Sequence, residues 1–472
     1  MAVLRQGTAP DERKPMERWS EREFWGWGRY PRVQAFCARP ERSREALDAV
    51  ADRRGSPVLG FGLGRSYGDA ALIEGGRVVL TERLDRMLDF DPTTGWLRCE
   101  SGVSIKTLVD TFVPRGFFPP VVPGTQFVTV GGAVANDIHG KNHHVDGTFA
   151  DHVRRVELLT GRGEIVVCDA QTEPALFWAT VGGLGLTGII LSLEVKLQPI
   201  HSPYIEMDSI RVENLDHFFE INAESAHFSH TVSWIDCVTS GDAMGRGIYM
   251  RGRHATGEAR ESPSLLGRIA ERISPLLDIP VDGPEWLMNP LTMRAFNTAY
   301  FRKHPKGERS AVTHYEPFFF PLDFVRNWNR IYGGRGMLQY QLVVPHDPQS
   351  AAIRAVLAAV TEAGMASFLA VIKTFGDSGH SGLSFPMPGV TLALDFPNTG
   401  APLLALCDRL DEIVMHAGGR VYLGKDARLS RQSFERMYPG AAAWKETRDR
   451  WDPKGIFQSE LGKRLGLVGS HR

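Results

Sequence analysis

Residues 121–144 read VVPGTQFVTVGGAVANDIHGKNHH, and this stretch decides the fold. Its glycines and alanines carry little or no side chain, so another group can approach the backbone closely. A chain gives up side-chain packing in this way where its backbone meets a ligand. Three histidines near the end of the stretch place titratable groups beside that position. The stretch therefore predicts a cofactor site next to a centre of chemistry.

A second glycine-rich stretch, residues 61–69, reads FGLGRSYGD and follows the extended run PVLG. Its glycines, Arg65 and Ser66 suit a loop whose backbone N–H groups bind a phosphate, although an ordinary glycine turn has a similar composition. Two such loops in one β-rich region favour a single large phosphate-bearing cofactor. A third match, G-x-G-x-x-G over residues 183–188, stands between a helical pattern and a strand. Because that order is the reverse of a Rossmann turn, it predicts a tight turn near a ligand.

The composition is typical of a soluble globular protein with two or three domains. The chain has 472 residues, of which 43% are hydrophobic and 23% charged, and its net charge is −1. A balance so close to neutral gives no global attraction for nucleic acid. The five cysteines are scattered, with no CxxC and no metal-ligand spacing, which indicates reduced thiols rather than disulfides.

The sequence predicts neither a signal peptide nor a membrane-spanning segment. The N-terminal residues are charged and have no apolar core, unlike a signal peptide. No apolar run approaches the ~18 residues that a transmembrane helix needs. We expect a cytoplasmic protein or one at a membrane surface, with the periplasmic face left open.

Helix and strand patterns divide the chain into two textures. Up to Pro199, short extended runs alternate with helices predicted at residues 42–55 and 104–116, and residues 152–169 read as a hairpin. Beyond Pro199, the predicted strands are longer and aromatic residues are more frequent. Residues 256–311 read as loop-rich, with a mixed helix at SLLGRIAERI.

Several titratable residues stand out within these patterns. His139, His143 and His144 do not follow a zinc-ligand spacing, which leaves surface-loop histidines or histidines at a cofactor or substrate. Lys373 interrupts an apolar strand, so it either ends the burial of that strand or points into a pocket. Lys425, in VYLGKDAR, is either a solvated loop charge or a group that neutralises a phosphate or a developing alkoxide.

Six segments of the chain together resemble the decaprenylphosphoryl-β-D-ribose 2′-oxidases, members of the vanillyl-alcohol-oxidase superfamily of FAD-linked oxidoreductases. These segments are GLGRSYGD, PGTQFVTVGGAVANDIHGKNHH, LFWATVGGLGLTGII, LQYQLVVP, LSFPMPG and YLGKDAR. The resemblance extends over residues 24–465, and HGKNHH is quite specific to the family. It implies an α+β fold of two domains, like that of vanillyl-alcohol oxidase.

The resemblance also implies how the chain builds these domains. A FAD-binding domain of the PCMH type would comprise residues 20–200 and be completed by residues 418–472. A substrate-binding domain with an antiparallel sheet, residues 201–417, would be inserted between them, and residues 1–19 would form a flexible tail. The insertion agrees with the change of texture at Pro199.

The implied cofactor is FAD, held by the two glycine-rich stretches. Tyr67 occupies a position where several superfamily members carry a histidine bonded covalently to the flavin, so the resemblance implies noncovalent FAD. The positions that match the family's cofactor-binding motifs are Gly62, Gly64, Arg65, Ser66, Tyr67, Gly68, Gly124, Thr129, Val130, Gly131, Gly132, Asn136, Asp137, His139, Ile190 and Tyr422.

The implied reaction is oxidation of the ribose 2′-hydroxyl of decaprenylphosphoryl-β-D-ribose to a 2′-keto intermediate. This is the first half of an epimerisation to decaprenylphosphoryl-arabinose for cell-wall arabinan synthesis. The expected catalytic residues are Lys425, His139 and Gln341, and no metal is expected. Mycobacterial relatives carry a cysteine at the position of Ala393, and relatives use tyrosine at the position of Phe319. The expected substrate-binding residues are Lys141, Gln339, Lys373, Phe319 and Ala393.

The implied partners are a polyprenyl-phosphate sugar, an NADH-dependent 2′-keto reductase as partner subunit, and a membrane surface, but no nucleic acid. The polyprenyl chain predicts an exposed apolar patch, for which residues 275–300 are the best candidate. Two other functions stay open. One is a sugar or aldonolactone oxidase of the same superfamily that uses O₂, and the other is a flavin-free scaffold of a cell-wall synthesis complex.

Overall fold

The computed structural model describes residues 19–257, 277–347, 349–377, 380 and 382–469. The predicted helix SLLGRIAERI and nearly all of the predicted N-terminal tail lie outside these residues. The described part is an α+β structure, as the sequence predicted, and most of its strands pair antiparallel.

The strands are short in the first half of the chain and longer in the second. In chain order they are β1 Ser20–Trp25, β2 Arg32–Ala38, β3 Val58–Phe61, β4 Arg77–Leu80, β5 Met87–Asp91, β6 Trp96–Glu100, β7 Phe117–Phe118, β8 Val153–Leu159, β9 Ile165–Asp169, β10 Ile189–Lys196, β11 Gln198–Pro199, β12 Tyr204–Val212, β13 His230–Ile235, β14 Gly247–His254, β15 Leu277–Asp278, β16 Glu308–His314, β17 Val325–Arg326, β18 Met337–Val344, β19 Ala370–Phe375, β20 Gly389–Pro397 and β21 Arg420–Val421.

These strands form three main sheets. A mixed sheet has the order β1-β2-β4-β3, and an antiparallel sheet has the order β5-β6-β10-β8-β9. The largest sheet, with eight antiparallel strands, has the order β16-β12-β14-β13-β19-β20-β18-β21. The predicted hairpin at residues 152–169 is confirmed as β8 and β9. The boundaries proposed for the two domains stay predictions.

The helices pack around these sheets, and none in the described part of the chain is long and apolar enough to span a membrane. In chain order they are α1 Ser43–Ala51, α2 Ile105–Phe112, α3 Val130–Ala135, α4 His143–Asp146, α5 Pro174–Thr180, α6 Leu215–Glu224, α7 Pro290–Lys303, α8 Tyr315–Phe319, α9 Ala351–Glu362, α10 Ala401–His416, α11 Arg431–Met437, α12 Ala441–Trp451 and α13 Glu460–Leu465.

Local sequence signals explain where the predicted helices begin and end. Helix α2 begins after Ser104, whose side chain accepts a hydrogen bond from the N–H of Thr107. A short 3-10 turn follows α2 and ends at Gly116, which has a left-handed backbone with φ of +79°. Helix α5 begins with Pro174. An N–H group in the first turn of a helix has no intrahelical acceptor, so proline, which lacks this group, is well suited to that position.

Two helices differ from the sequence-based expectation. Helix α3 forms inside the glycine-rich opening stretch, because Thr129 caps it and its apolar side chains are buried in the core. Helix α7 forms in the region that read as loop-rich. There Asn289 accepts hydrogen bonds from the N–H groups of Leu291 and Thr292, and Pro290 occupies the first turn. In both segments the composition disfavours a helix, but a capping side chain at the N-terminus stabilises the first turn and the helix forms.

The register of the large sheet brings four strand segments to one place. Gln341 on β18 lies opposite Ala393 on β20, and Lys373 on β19 lies opposite Thr391 on β20. Because side chains alternate between the two faces of a strand, these four residues share one face. Strand β21 pairs with the far side of β18, so the turn that follows β21 carries Lys425 to the same place.

The glycine loop and the turn after β21 make a close contact at Gly68. A Cβ atom at Gly68 would lie 1.8 Å from the carbonyl oxygen of Asp426. We expect Gly68→Ala to lower the free energy of unfolding by about 1–3 kcal/mol or more, since the backbone on both sides must move. Thermal unfolding checks this. Gly334→Ala is the matched control, because its Cβ would meet no atom closer than 3.9 Å. Equal unfolding temperatures for the two variants would contradict the expectation.

Candidate active site

A cavity of about 550 Å³ lies between the large sheet and the two glycine-rich segments. Its volume is within the range of small-molecule sites. One part of the wall comes from residues 60–67 and 124–132, where glycines expose main chain between larger side chains such as Arg65, Tyr67 and Phe127. The opposite part carries amide and amine side chains from β18, β19 and the turn after β21, together with the His139 imidazole from the segment after α3. This distribution suits a ligand with a large apolar ring system and an attached polar chain.

The glycine wall tolerates no side chains at its two central positions. A Cβ atom at Gly62 would lie 2.5 Å from Thr129 Oγ1, and one at Gly131 would lie 2.7 Å from Ser101 Cβ. Thr129 Oγ1 is also committed to α3, where it accepts a hydrogen bond of 3.1 Å from the N–H of Gly132. The two glycine segments are therefore locked against each other, and the cavity is bounded there by main chain.

Most of the predicted cofactor residues line the cavity. Those that do are Gly62, Gly64, Arg65, Ser66, Tyr67, Gly124, Thr129, Gly131, Gly132, Asn136, His139, Ile190 and Tyr422. Gly68, Val130 and Asp137 lie behind its wall. Gly68 faces Asp426, Val130 is fully buried in the core, and the fully buried Asp137 carboxylate accepts a hydrogen bond from Ser384.

Lys425 faces the cavity with its ammonium group unpaired. Its Nζ atom lies 3.9 Å from the centroid of the Tyr67 ring, and no described residue offers it a hydrogen-bond acceptor. Burial lowers the pKa of Lys425, while the charge of Asp395 acts in the opposite direction. An amine in this position is free to bind, or to exchange a proton with, a ligand in the cavity.

His139 lines the cavity between two other predicted site residues. Its Nδ1 atom is 3.1 Å from Lys373 Nζ, and its Nε2 atom is 3.0 Å from Gln341 Nε2. Burial, followed by the charge of Lys373, holds the pKa of His139 well below its ordinary value. Lys373 thus points into the pocket, which was one of the two alternatives left open by the sequence. The structure brings all three residues together.

Gln339 also lines the cavity, and it connects to a carboxylate that the sequence analysis missed. Gln339 Nε2 donates a hydrogen bond to Asp395 Oδ1, and Asp395 is fully buried. Burial raises the pKa of Asp395. A signal for this residue exists in VTLALDF, where Thr391, Ala393 and Asp395 alternate with large apolar residues and so mark a face that is not core.

Lys141 and Phe319, expected at the substrate, do not line the cavity. Lys141 Nζ donates a hydrogen bond of 3.2 Å to the carbonyl oxygen of Phe319 and lies 5.6 Å from the centroid of the Phe318 ring. The Phe319 ring packs against His230 and His254. Both predicted residues therefore contact aromatic side chains of the core outside the cavity. A matching motif position did not reveal where these side chains point.

The two remaining histidines of HGKNHH face other parts of the protein. His143 is buried, its ring lies 4.3 Å from that of Phe375, and its Nδ1 atom accepts a hydrogen bond from the N–H of Gly376. His144 Nε2 lies 2.9 Å from the carbonyl oxygen of Phe228. In the described ranges, no group of three or more His, Cys, Asp or Glu side chains is placed to hold a metal ion.

An aromatic wall that the sequence analysis did not predict closes one side of the cavity. Arg65 lies over the rings of Trp27 and Phe127, at 4.1 and 5.4 Å from their centroids. Trp328 packs edge-on against Trp27. Asp323, in the same wall, accepts a hydrogen bond from the N–H of Gln126. These residues come from segments far apart in the chain, and no local motif connects them.

Comparison with known proteins supports a flavin site here. Residues 34–169 match the model of a FAD binding domain, and residues 397–465 match that of D-arabinono-1,4-lactone oxidase. The chain is 37% identical to the decaprenylphosphoryl-beta-D-ribose oxidase of Mycolicibacterium smegmatis, over 95% of this chain and 98% of that protein. It is 35% identical to an uncharacterized protein of Streptomyces coelicolor, over 77% of this chain and 100% of that protein.

The fold and the cavity define a FAD-dependent oxidoreductase with the two-domain architecture of vanillyl-alcohol oxidase, as the sequence predicted. FAD is its cofactor, which leaves no support for a flavin-free scaffold. Within this class, the chain belongs to the decaprenylphosphoryl-β-D-ribose oxidase family. The roles assigned to individual residues stay predictions.

The residues present fit FAD. The glycine wall leaves main chain exposed where a cofactor can lie against it, and the unpaired Lys425 faces the same space. Residues 60–67 and 124–132 would hold the cofactor's phosphate-bearing part, and Tyr422 would lie at the flavin. The Tyr422 hydroxyl donates a hydrogen bond of 2.7 Å to the carbonyl oxygen of Asn136, which fixes that ring in the wall.

We expect the FAD to be bound without a covalent link. Burial raises the pKa of Tyr67 well above its ordinary value, so its phenol stays protonated and is a poor nucleophile. Acid precipitation of the purified protein should leave the flavin in the supernatant. A yellow pellet would contradict this, and His139→Gln would then test the histidine that lines the cavity.

Proposed function

We propose that this protein oxidises the 2′-hydroxyl of decaprenylphosphoryl-β-D-ribose to the 2′-keto intermediate, with FAD as the hydride acceptor. The observation that carries the proposal is the unpaired Lys425 amine, which faces the same cavity as the glycine wall. The substrate is proposed from the relative in Mycolicibacterium smegmatis, whose name gives decaprenylphosphoryl-β-D-ribose. When bound, FAD supplies a two-electron acceptor for the hydrogen on the carbinol carbon.

Lys425 is the proposed proton acceptor. Oxidation of an alcohol removes the hydroxyl proton as well as a hydride, so a base must stand at the hydroxyl. Burial makes the neutral amine of Lys425 more accessible than that of an exposed lysine. In its charged form after the reaction, the same group faces the π surface of Tyr67, which stabilises a cation.

Gln339, Gln341 and His139 are proposed to orient the sugar. All three line the cavity, and the two amides lie on one face of β18. Asp395 fixes the Gln339 amide by accepting a hydrogen bond from it. A side chain held in one orientation loses less entropy when it binds a hydroxyl, so these contacts favour a pre-ordered sugar.

The keto product needs a second enzyme. Its return as the arabinose epimer requires a hydride delivered to the 2′-carbon, and we assign that step to an NADH-dependent 2′-keto reductase acting as a partner subunit. The two reactions together epimerise decaprenylphosphoryl-ribose for cell-wall arabinan synthesis.

An exposed apolar surface beside the cavity is proposed to receive the polyprenyl chain at the membrane surface. Trp286 and Leu291 are 70% and 77% exposed, and Phe296 and Phe324 are also exposed. Phe324 directly precedes β17, and the residues of β17 line the cavity. Strand β17 pairs with β15, which begins the segment that carries Trp286, so both exposed rings belong to segments connected to the cavity wall. Exposed aromatic and aliphatic side chains of this kind favour the boundary between lipid and water.

A second candidate is an aldonolactone or sugar oxidase that is reoxidised by O₂. The observation in its favour is the match of residues 397–465 to the D-arabinono-1,4-lactone oxidase model. The two functions differ in substrate and in reoxidation. Bleaching of the flavin by a polyprenylphosphoryl-β-D-ribose without O₂, followed by slow return of colour in air, supports the first. Bleaching by a free sugar or a lactone alone, with rapid peroxide formation in air, supports the second.

Replacing Lys425 tests the proposed base. We expect Lys425→Ala to retain FAD but to slow flavin reduction by substrate about 10²–10⁴-fold, which is the range for a lost general base. In the unaltered protein the reduction rate should rise with pH as Lys425 loses its proton, at a pH below that of an ordinary lysine because of burial. Stopped-flow absorbance measures both. An unchanged rate in Lys425→Ala, with FAD still bound, excludes the assignment.

The membrane surface is tested by vesicle binding. We expect Trp286→Ser combined with Phe324→Ser to weaken sedimentation with phosphatidylglycerol vesicles, because both exposed rings are removed. Ile165→Ser is the control, since Ile165 is equally apolar and 43% exposed but lies on the five-stranded sheet. If the double variant and the control sediment alike, the assigned surface is wrong.

A further inference from the structure

Lys373, His139 and Gln341 form a hydrogen-bonded chain along one wall of the cavity. Lys373 Nζ lies 3.1 Å from His139 Nδ1 and 3.1 Å from the carbonyl oxygen of Gly140. Gln341 Nε2 lies 3.0 Å from His139 Nε2 and 3.3 Å from Thr391 Oγ1. The imidazole is therefore engaged at both ring nitrogens by side chains on two different strands.

The protonation of Lys373 controls which ring nitrogen of His139 can carry the proton. His139 is held neutral, so it has one N–H group and one lone pair. A charged Lys373 ammonium can only donate, and Nδ1 must then accept, which leaves the ring proton on Nε2. A neutral Lys373 amine can donate one N–H to the carbonyl oxygen of Gly140 and use its lone pair to accept from Nδ1, which allows the ring proton to lie on Nδ1.

The ring proton in turn dictates the orientation of the Gln341 amide. When Nε2 carries the proton, it needs an acceptor, so the amide turns its carbonyl oxygen toward His139. When Nε2 has the lone pair, the amide turns its NH₂ group toward it, as in the arrangement with Nε2 at 3.0 Å. In either case the other end of the amide faces the cavity, because no described residue forms a hydrogen bond to it.

We propose that Lys373 is a positioning residue that acts through His139 to set which end of the Gln341 amide meets the bound sugar. With a neutral Lys373 the carbonyl oxygen faces the cavity as an acceptor. With a charged Lys373 the NH₂ group faces it as a donor. The step moves one proton on or off Lys373 and relocates one proton within the ring, and no other group changes its charge.

Charges around Lys373 set the pH at which this occurs. Burial lowers the pKa of Lys373 to about 7, and the positive charges of Lys141 and Lys425 act in the same direction. His143 also faces Lys373, with a pKa lowered by burial and by that same lysine. No described carboxylate forms an ion pair with Lys373, so none offsets these effects. The ring proton should therefore be on Nε2 below about pH 7 and on Nδ1 above it.

The consequence for ligands, which rests on the proposed function, is a preference between alcohol and ketone. A hydroxyl group can donate to the amide oxygen, whereas a ketone has only acceptor lone pairs. A neutral Lys373 therefore favours the alcohol, and a charged Lys373 lets the amide NH₂ bind the ketone. When the Gln341 amide oxygen faces a ketone oxygen in a buried site, two acceptors oppose each other. The lost hydrogen bond changes the affinity for the ketone relative to the alcohol by about tenfold or more.

The ring proton can be observed without substrate. In the holoenzyme labelled with ¹⁵N-histidine, protonated and unprotonated ring nitrogens differ widely in chemical shift, and His139→Gln identifies the signals of His139. We expect the proton-bearing nitrogen to change from Nε2 to Nδ1 with a midpoint near pH 7. Lys373→Arg should hold the proton on Nε2 at every pH, because a guanidinium stays charged and only donates. Lys373→Met should abolish the transition.

A control separates this role from packing. Lys141→Met should keep the transition and move its midpoint to higher pH, since one neighbouring positive charge is lost. If both Lys373 variants fail to bind FAD, the unaltered protein and Lys141→Met still decide the question. A single tautomer of His139 across the whole pH range in the unaltered protein overturns the proposal, as does an unshifted midpoint in Lys141→Met.

A binding measurement completes the test. The ratio of affinity for a polyprenylphosphoryl-β-D-ribose to that for its 2′-keto product should rise about tenfold between about pH 6 and about pH 8, and stay constant in Lys373→Arg. A constant ratio in the unaltered protein, with the tautomer change present, overturns the link from Gln341 to the sugar. Failure of any polyprenylphosphoryl-ribose to bleach the flavin would instead count against the proposed function and leave the ring transition standing.

Discussion

The return of the chain to the large sheet at β21 is the constraint on which the cavity depends. The turn after this strand contacts the first glycine-rich segment and the residue that follows α3. The N–H of Tyr67 donates to the carbonyl oxygen of Gly424 at 3.2 Å, and the Tyr422 hydroxyl donates to that of Asn136 at 2.7 Å. Gly68 fits against the same turn with no space for a Cβ atom. Segments more than 350 residues apart in sequence thus form one surface, and the site exists only when both are folded.

The buried amines are the second determinant of the site. Lys141, Lys373 and Lys425 are not ion-paired with any carboxylate in the described ranges, although burial lowers the pKa of each. Carbonyl oxygens and aromatic rings contact them instead. Such partners stabilise a cation less than a carboxylate does, so the neutral amine becomes available near neutral pH. A protein that must remove a proton from an alcohol gains a base in this way.

The sequence predicted the two glycine-rich loops at a ligand, because they depend on a local pattern of small residues, and the family resemblance predicted the fold class. It did not predict α3, whose cap outweighs its glycines, or the Trp27 wall, which only tertiary packing assembles. Asp395 could have been predicted from the sequence, since it continues the alternation of small or polar with large apolar residues that begins at Thr391. Lys141, expected at the substrate, does not line the cavity, because a motif gives the position of a residue and not the direction of its side chain.

The identity of residue 393 has a consequence for chemical reactivity. Ala393 places a methyl group on the cavity face of β20, and all five cysteines are buried elsewhere, none of them among the lining residues. An electrophile that enters or forms in this cavity therefore meets no thiol. The nitrogen nucleophiles it meets are the neutral His139 imidazole and the amines of Lys373 and Lys425, whose pKa values burial lowers. Reagents that acylate amines or form imines with them are therefore expected to label this site covalently, and reagents selective for thiols are expected not to react there.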